Sequence, residues 1–272
     1  MISFPNSKIN LGLNILCKRE DGLHELSTFF YPVALSDSLE IIPHPDTNAG
    51  PVFTSSGFAI EGMAADNLCI KAFNLVRNDH PILPSIKIHL HKSIPMGAGL
   101  GGGSADAAFL LKMLNKQFNL LIPAKKLNQY ALNLGSDCPF FLVNKPCMAT
   151  GRGEILEELA LDLSHYTLIL VNPGIHINTA GAFSLIHPSL PVTGIRDIIS
   201  GPVESWKGRL KNDFEVPVFN RFPEIKDIRD ELYTQGAIYA TMSGSGSTVY
   251  GIFDKRTTPI KFPGKNYFIK TI

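Results

Sequence analysis

What this 272-residue chain has little of narrows it first. It holds only four cysteines, Cys17, Cys69, Cys138 and Cys147, scattered and without a C-x-x-C pair. That pattern argues against a zinc site and fits a reduced, cytoplasmic setting. Charge is scarce on balance: the formal net charge is +1 at pH 7, so no broad basic surface for nucleic acid is expected. No apolar run reaches the roughly 18 residues of a membrane span. The opening residues, Met1-Ile2-Ser3-Phe4-Pro5-Asn6, have neither the basic cluster nor the apolar core of a signal peptide. There is no internal repeat and no low-complexity tail. What remains is an ordinary globular composition, 44% hydrophobic and 18% charged, long enough for one large domain or two smaller ones.

One stretch stands out. Pro95-Met96-Gly97-Ala98-Gly99-Leu100-Gly101-Gly102-Gly103-Ser104-Ala105 holds five glycines in seven residues and runs into a helical pattern. Ala107, Ala108, Leu110, Leu111 and Leu114 share one face, and Lys112, Asn115 and Lys116 share the other. Ser104 is expected to cap that helix. A helix N-terminus presents unpaired N–H groups and partial positive charge, and glycines before it let a bulky anion approach. The expectation is a cradle for a di- or triphosphate. A merely flexible loop is the plainer alternative.

Again absences sharpen the reading. No Gly-Lys-Ser/Thr closes the loop, so it is not a Walker A motif. Gly97 to Gly102 matches G-x-G-x-x-G, but a dinucleotide fold needs an acid about 20 residues on. No Asp or Glu lies between Asp106 and Asp137. The H-R-D and D-F-G signatures of protein kinases are missing too.

Along the rest of the chain, Ile9, Leu11, Leu13 and Ile15 alternate as a strand with one buried face, and Lys8 stands at its edge. A solvated lysine is the ordinary reading there. Lys18 to Gly22 is a hairpin turn, followed by His24. Strands are expected over Phe29–Leu35, Ser38–Ile42 and Ile86–Leu90, with a loop or weak strand over 44–57. Asp66-Asn67 caps a helix with Ile70, Phe73 and Val76 inward. Leu127, Tyr130, Ala131 and Leu134 mark another helix, ending at Gly135. Asp137 then precedes an apolar strand, poorly solvated among Cys, Pro and Phe; a turn-capping aspartate is the bland alternative. The pattern changes near Ala149 to Glu154. Beyond it come the strand Tyr166–Asn172, a short helix capped by Asn178-Thr179 and carrying Phe183, a helix from Pro223, and the Gly/Ser loop Met242 to Ser247.

Three blocks now stand in order: Ser7-Lys8-Ile9-Asn10-Leu11, Pro95 to Ala108, and Met242 to Ser247. Together they resemble the GHMP kinase superfamily, the galactose, homoserine, mevalonate and phosphomevalonate kinases. Asp21-Gly22-Leu23-His24-Glu25, Leu134 to Phe141 and Asn212-Asp213-Phe214-Glu215 resemble the branch that phosphorylates a cytidine diphosphate sugar alcohol in non-mevalonate isoprenoid biosynthesis. The resemblance covers nearly the whole chain.

This resemblance implies a two-lobed α+β fold with the active site in the cleft. The N-terminal lobe, like domain 2 of ribosomal protein S5, would span 1–155 and handle ATP. A C-terminal α/β-sandwich lobe would span 156–272 and handle substrate. ATP would lie along Pro95 to Ala105, with Asn67 and Lys92 near the nucleoside, and Mg²⁺ would take the Ser104 hydroxyl. Lys8 and Asp137 match the catalytic pair. Asn10, His24, Thr179, Phe183 and Gly244 match substrate-binding positions. Leu23 stands where the family usually has tyrosine, which leaves Phe183 more of the stacking on cytosine. Asn6-Ser7 replaces the usual Pro-Ala before the lysine. The partner implied is a small molecule, with no nucleic acid and no membrane, acting on a monomer or homodimer. A kinase for another alcohol, a dinucleotide-binding oxidoreductase and an inactive nucleotide-binding module remain the alternatives.

Overall fold

Strands form where apolar residues alternate, and helices where they recur every third or fourth position. The computed structural model describes residues 1–46, 50–255, 261–262 and 264–272. Part of the expected 44–57 loop, residues 47–49, lies outside them. The first strands are β1 (Ile2–Ser3), β2 (Asn6–Lys18), β3 (His24–Ser36), β4 (Ser38–Pro43), β5 (Val52–Gly57) and β6 (Ile86–Lys92). Later come β7 (Cys147–Thr150), β8 (Ile155–Glu158), β9 (Tyr166–Asn172), β10 (Tyr239–Met242), β11 (Val249–Asp254) and β12 (Phe268–Thr271). The helices are α1 (Leu68–Asp79), α2 (Gly102–Gln117), α3 (Ala124–Leu134), α4 (Cys138–Val143), α5 (Thr179–Phe183), α6 (Ile195–Ile199), α7 (Glu215–Arg221) and α8 (Pro223–Thr234). The content is mixed α+β. Two compact units result: residues 1–7, 34–96 and 101–144, and residues 8–33, 97–100 and 145–272.

In the first unit the sheet order is β1-β4-β6-β5, with β5 parallel to β6 and the other pairs antiparallel. β6 alternates buried Ile86, Ile88 and Leu90 with exposed Lys87, His89 and His91, so one sheet face is buried. Phe73 and Val76 of α1 and Leu110, Leu111 and Leu114 of α2 share a core with Leu39, Ile41, Ile88 and Leu90. Asn67 caps α1 as expected: its side-chain oxygen accepts from the Cys69 amide at 2.9 Å, a contribution of about 1 kcal/mol.

Two local expectations are corrected in this unit. α2 begins at Gly102, so Ser104 is not its cap. The capping position is Gly101, at φ 70°, a left-handed conformation that glycine reaches without strain. Ser104 lies inside the first turn, and its hydroxyl bonds the Cys138 thiol. Residues 138–143 form helix α4 rather than a strand. Pro139 fits a first helical turn, where its missing N–H is no loss, and a short all-apolar run carries no period to separate helix from strand.

The second unit holds two four-stranded sheets, β2-β3-β7-β8 and β10-β11-β9-β12. Ile225, Ile228 and Leu232 of α8 pack with Val171 of β9 and Val249 and Phe253 of β11. β2 departs from the one-faced strand its alternation suggests: every residue from Ser7 to Ile15 is buried. Close packing at Gly12 shows why. At φ 69°, a Cβ there would lie 2.6 Å from Leu210 Cδ1.

Candidate active site

β2 is the spine of the polar network in the second unit. The Lys8 amide donates to the Leu100 carbonyl at 3.0 Å, so the glycine loop is tied to the strand through main chain. Lys8 is 4% exposed, which removes the solvated reading. Its Nζ donates to Asn10 Oδ1 at 2.6 Å and lies 4.8 Å from the centre of the Phe30 ring. Asn10 is itself held on all sides. Its Nδ2 donates to Thr28 Oγ1, its amide to Ser243 Oγ, and its carbonyl accepts from the Tyr250 hydroxyl.

The Met242 to Ser247 loop completes this network. Ser243 Oγ donates to the Gly99 carbonyl at 2.8 Å, and the Thr248 amide donates to the Ala98 carbonyl. Buried Asn212 sets the loop's shape, its Nδ2 donating to the carbonyls of Met242 and Gly244 at 2.7 and 2.8 Å. Gly99 (φ 76°) must be glycine, because a Cβ would lie 2.0 Å from the Ser243 carbonyl oxygen. Gly244 packs against Asn10 less tightly: a Cβ would lie 3.3 Å from its Oδ1. Thr179 Oγ1 lies 3.1 Å from Ser245 Oγ of the same loop. Nearby in sequence, Gly97 backs onto His176. Lys8, Asn10, Gly97 to Leu100, Thr179 and Gly244 thus belong to one connected set of contacts.

An aromatic stack forms separately in this unit. The His24 and Phe183 rings are parallel to within 15°, centroids 4.9 Å apart, and Phe214 meets Phe183 edge-on at 4.8 Å. Leu23 beside them is exposed.

The first unit gathers the other expected residues. Asn67, Lys92, Met96 and Gly103 line a cavity of about 330 Å³, with Phe53 and Leu68 among its apolar walls. Pro95 is buried at the head of the glycine loop, and Gly102, Gly103, Ser104 and Ala105 form the first turn of α2. The Ala105 amide already bonds the Gly101 carbonyl at 2.9 Å, and the helix N-terminus ahead of it is of the kind that attracts anions. Lys92 is buried, not solvent-facing, and donates to Asp37 and Asp106. Burial works to lower the Lys92 pKa, but the carboxylates of Asp106 and Asp37 raise it above the ordinary lysine value. Burial pushes Asp106 up to about 7, against the pull of Lys92. Asp37 Oδ1 also accepts the amides of Ser93 and Ile94, fixing the chain where it enters the glycine loop.

Asp137 stands at the capping position of α4, half-buried, and makes no side-chain cap bond to that helix.

Sequence reasoning missed Asp37, Asp106 and Asn212. Asp106 left a signal: it sits four residues before Leu110 and seven before Met113, an acid on the buried stripe of α2. Asp37 fell only between two expected strands, and Asn212 only within a block that carries the family resemblance, with no role of its own.

With this geometry in place, sequence profiles of two domains match the chain: the GHMP kinases N terminal domain over residues 67–145 and the GHMP kinases C terminal domain over 203–262. The glycine-rich turn opening a helix, tied to a lysine-bearing strand, thus lies in a chain of the GHMP kinase class. A 4-diphosphocytidyl-2-C-methyl-D-erythritol kinase of Bacteroides fragilis is 50% identical over 264 residues, 96% of each chain. The chain belongs to that kinase family. A crystal structure of a 4-(cytidine 5'-diphospho)-2C-methyl-D-erythritol kinase superposes with a TM-score of 0.77 at 33% identity, over 93% of this chain and 90% of that one. The Methanococcus jannaschii mevalonate kinase, 12% identical, shares the fold alone, with a TM-score of 0.70 over 100% of this chain and 97% of that one.

Proposed function

We propose that this protein transfers the γ-phosphate of ATP to the 2-hydroxyl of 4-diphosphocytidyl-2-C-methyl-D-erythritol, a step of non-mevalonate isoprenoid biosynthesis. The observation that carries the reading is the tie between Lys8 and the glycine loop, in a chain half identical to a kinase of that name. The base of ATP would occupy the cavity beside Asn67, and its phosphates the glycine loop and the first turn of α2. Asp137 would take the proton of the attacking hydroxyl. Lys8, held by Asn10, would stabilise charge on the group in transfer. Asn10, Thr179 and Gly244 would orient the substrate, and His24 and Phe183 would hold its cytosine.

Among the described residues no group of three or more His, Cys, Asp or Glu side chains could hold a metal. Mg²⁺ would be bound chiefly through nucleotide phosphates, and the Ser104 hydroxyl, which bonds the Cys138 thiol, would have to turn from it to serve as a protein ligand. Bound so, the ion neutralises phosphate charge.

The two matched profiles fall on either side of residue 155, in keeping with 1–155 and 156–272 as sequence domains, whereas the compact units are discontinuous and group 8–33 and 97–100 with 145–272. A cytoplasmic setting is supported by four free cysteines and by the lack, among described residues, of a helix able to cross a membrane. The test is ADP release from ATP with the diphosphocytidyl substrate, with homoserine and mevalonate in parallel. Turnover on either control, and none on the cytidyl compound, would overturn the assignment.

A further inference from the structure

Further along β2 from Asn10 stands a second buried asparagine, and its bonding is incomplete. Asn14 is 8% exposed, and its Nδ2 donates to Asp213 Oδ1 at 3.3 Å. Facing a carboxylate, the amide must present its nitrogen, which fixes where its oxygen points. Asn14 Oδ1 then accepts nothing among the described residues, yet it is not sealed from solvent. Asn14 belongs to the wall of a cavity of about 430 Å³ inside the second unit, a volume in the range of small-molecule sites. Leu190, Pro191, Ile195 and Ile198 supply apolar walls, and Ser189 and Thr193 add hydroxyls. Two exposed cations, Arg209 and Lys211, line it as well, and neither side chain has an ion pair or hydrogen bond among the described residues. Asp213 is the one carboxylate of the lining, and its Oδ2 also accepts the Ile15 amide at 2.7 Å. Among the described residues the lining includes none of Asn10, His24, Thr179, Phe183 and Gly244. Leu210 and Ile195 pack on Gly12, midway along β2 between the two asparagines, which sets the cavity apart from the Asn10 network.

We propose that this cavity is a second ligand site, separate from the kinase centre, that takes a phosphorylated polyol. Two cations against one carboxylate leave it with an excess of positive charge, and a phosphate answers that charge. The Asn14–Asp213 end demands the opposite chemistry. Asn14 Oδ1 and the Asp213 carboxylate are acceptors, so the far end of the ligand must donate. A second anionic group there would meet Asp213 and be repelled, which argues against a diphosphate or a dicarboxylate. Hydroxyls satisfy both acceptors, and the carbon chain between them and the phosphate lies on the apolar walls. A hydroxyl that replaces solvent on a buried amide oxygen restores its hydrogen bond at little cost.

Calorimetry on the whole protein tests this, with the nucleotide site first filled by a non-hydrolysable ATP analogue. The probes are erythritol 4-phosphate, erythritol, inorganic phosphate and n-butyl phosphate, which keeps the charge and the carbon chain but has no hydroxyls. Erythritol 4-phosphate is expected to bind one to one, about 10-fold or more tightly than each of the other three, the range of a hydrogen bond to a charged group. Replacing both cations, Arg209→Gln with Lys211→Gln, should weaken it about 10-fold or more and leave the affinity for the ATP analogue unchanged. Asn14→Leu should bring erythritol 4-phosphate and butyl phosphate to within about twofold of each other. No saturable binding of erythritol 4-phosphate to the wild type overturns the proposal, and so does butyl phosphate binding equally well. Neither comparison needs a variant to fold. Binding that disappears once the nucleotide site is filled, or that the double variant leaves unchanged, places the phosphate elsewhere and overturns it too.

Discussion

The imidazole of His24 lies flat against the ring of Phe183, at 4.9 Å between centroids and 15° between planes. A base that stacks on that face of Phe183 must first displace the imidazole. With leucine at position 23, Phe183 and His24 are the rings left to hold cytosine. Phe183→Ala should raise KM for the cytidyl substrate about 5- to 150-fold, the range of one base–aromatic stack, and leave KM for ATP unchanged. Steady-state kinetics with each substrate varied in turn decides it; equal effects on both KM values count against a cytosine contact.

Asp137→Asn keeps size and removes charge. As the general base, it should lower kcat by about 10²- to 10⁴-fold with little change in ATP affinity. Lys8→Met should also cut kcat, and the double variant should lose far less than the product of the two. Near-normal kcat in a well-folded sample would retire the catalytic assignment.

Two glycines of the same loop should respond oppositely to alanine. Gly99 sits at φ 76° with the Ser243 carbonyl oxygen 2.0 Å from any Cβ, so Gly99→Ala must push the glycine loop off the Met242 to Ser247 loop. Gly103 is helical, and its nearest obstacle is Leu68 Cδ1 at 3.9 Å. Gly103→Ala should stabilise the free protein by about 0.5–1 kcal/mol through helix propensity. Thermal melts without ligand read both; a lower melting temperature for Gly103→Ala would contradict this geometry.

Asp106 gives the free protein a pH dependence of fixed sign. Its carboxyl, raised from 3.8 to about 7 by burial, stays protonated in the fold after the unfolded chain has released that proton. Between about pH 4 and 7 the folded state binds more protons, so this group's contribution falls as pH rises and levels off above about 7. Asp106→Asn should flatten the melting temperature between pH 5 and about 8 relative to wild type. An unchanged slope rules out this role.

Much of this was legible without coordinates. Helix α1 follows from Asn67 and the spacing of Ile70, Phe73 and Val76, because capping and a 3.6-residue period are local properties. The glycine loop announced itself by composition, and the start of α2 by the stripe that follows. The mistakes were local too. Ser104 looks like a cap, yet Gly101 takes that position because only a left-handed residue turns the chain there. Cys138 to Phe141 looks like a strand, because apolar residues without a period carry no sign of their state.

By itself, the sequence determined most of the helices and strands, where the glycine-rich turn lies, and which kinase family the chain joins. Those depend on neighbours a few residues apart and on motifs read in line. Tertiary structure alone decided that Lys8 is buried on Asn10, that Asn212 shapes a loop 30 residues away, and that Asp37 and Asp106 share one lysine across 55 and 14 residues. The physical reason is that a buried polar atom takes its partner from whatever the fold brings near, and sequence distance does not encode that.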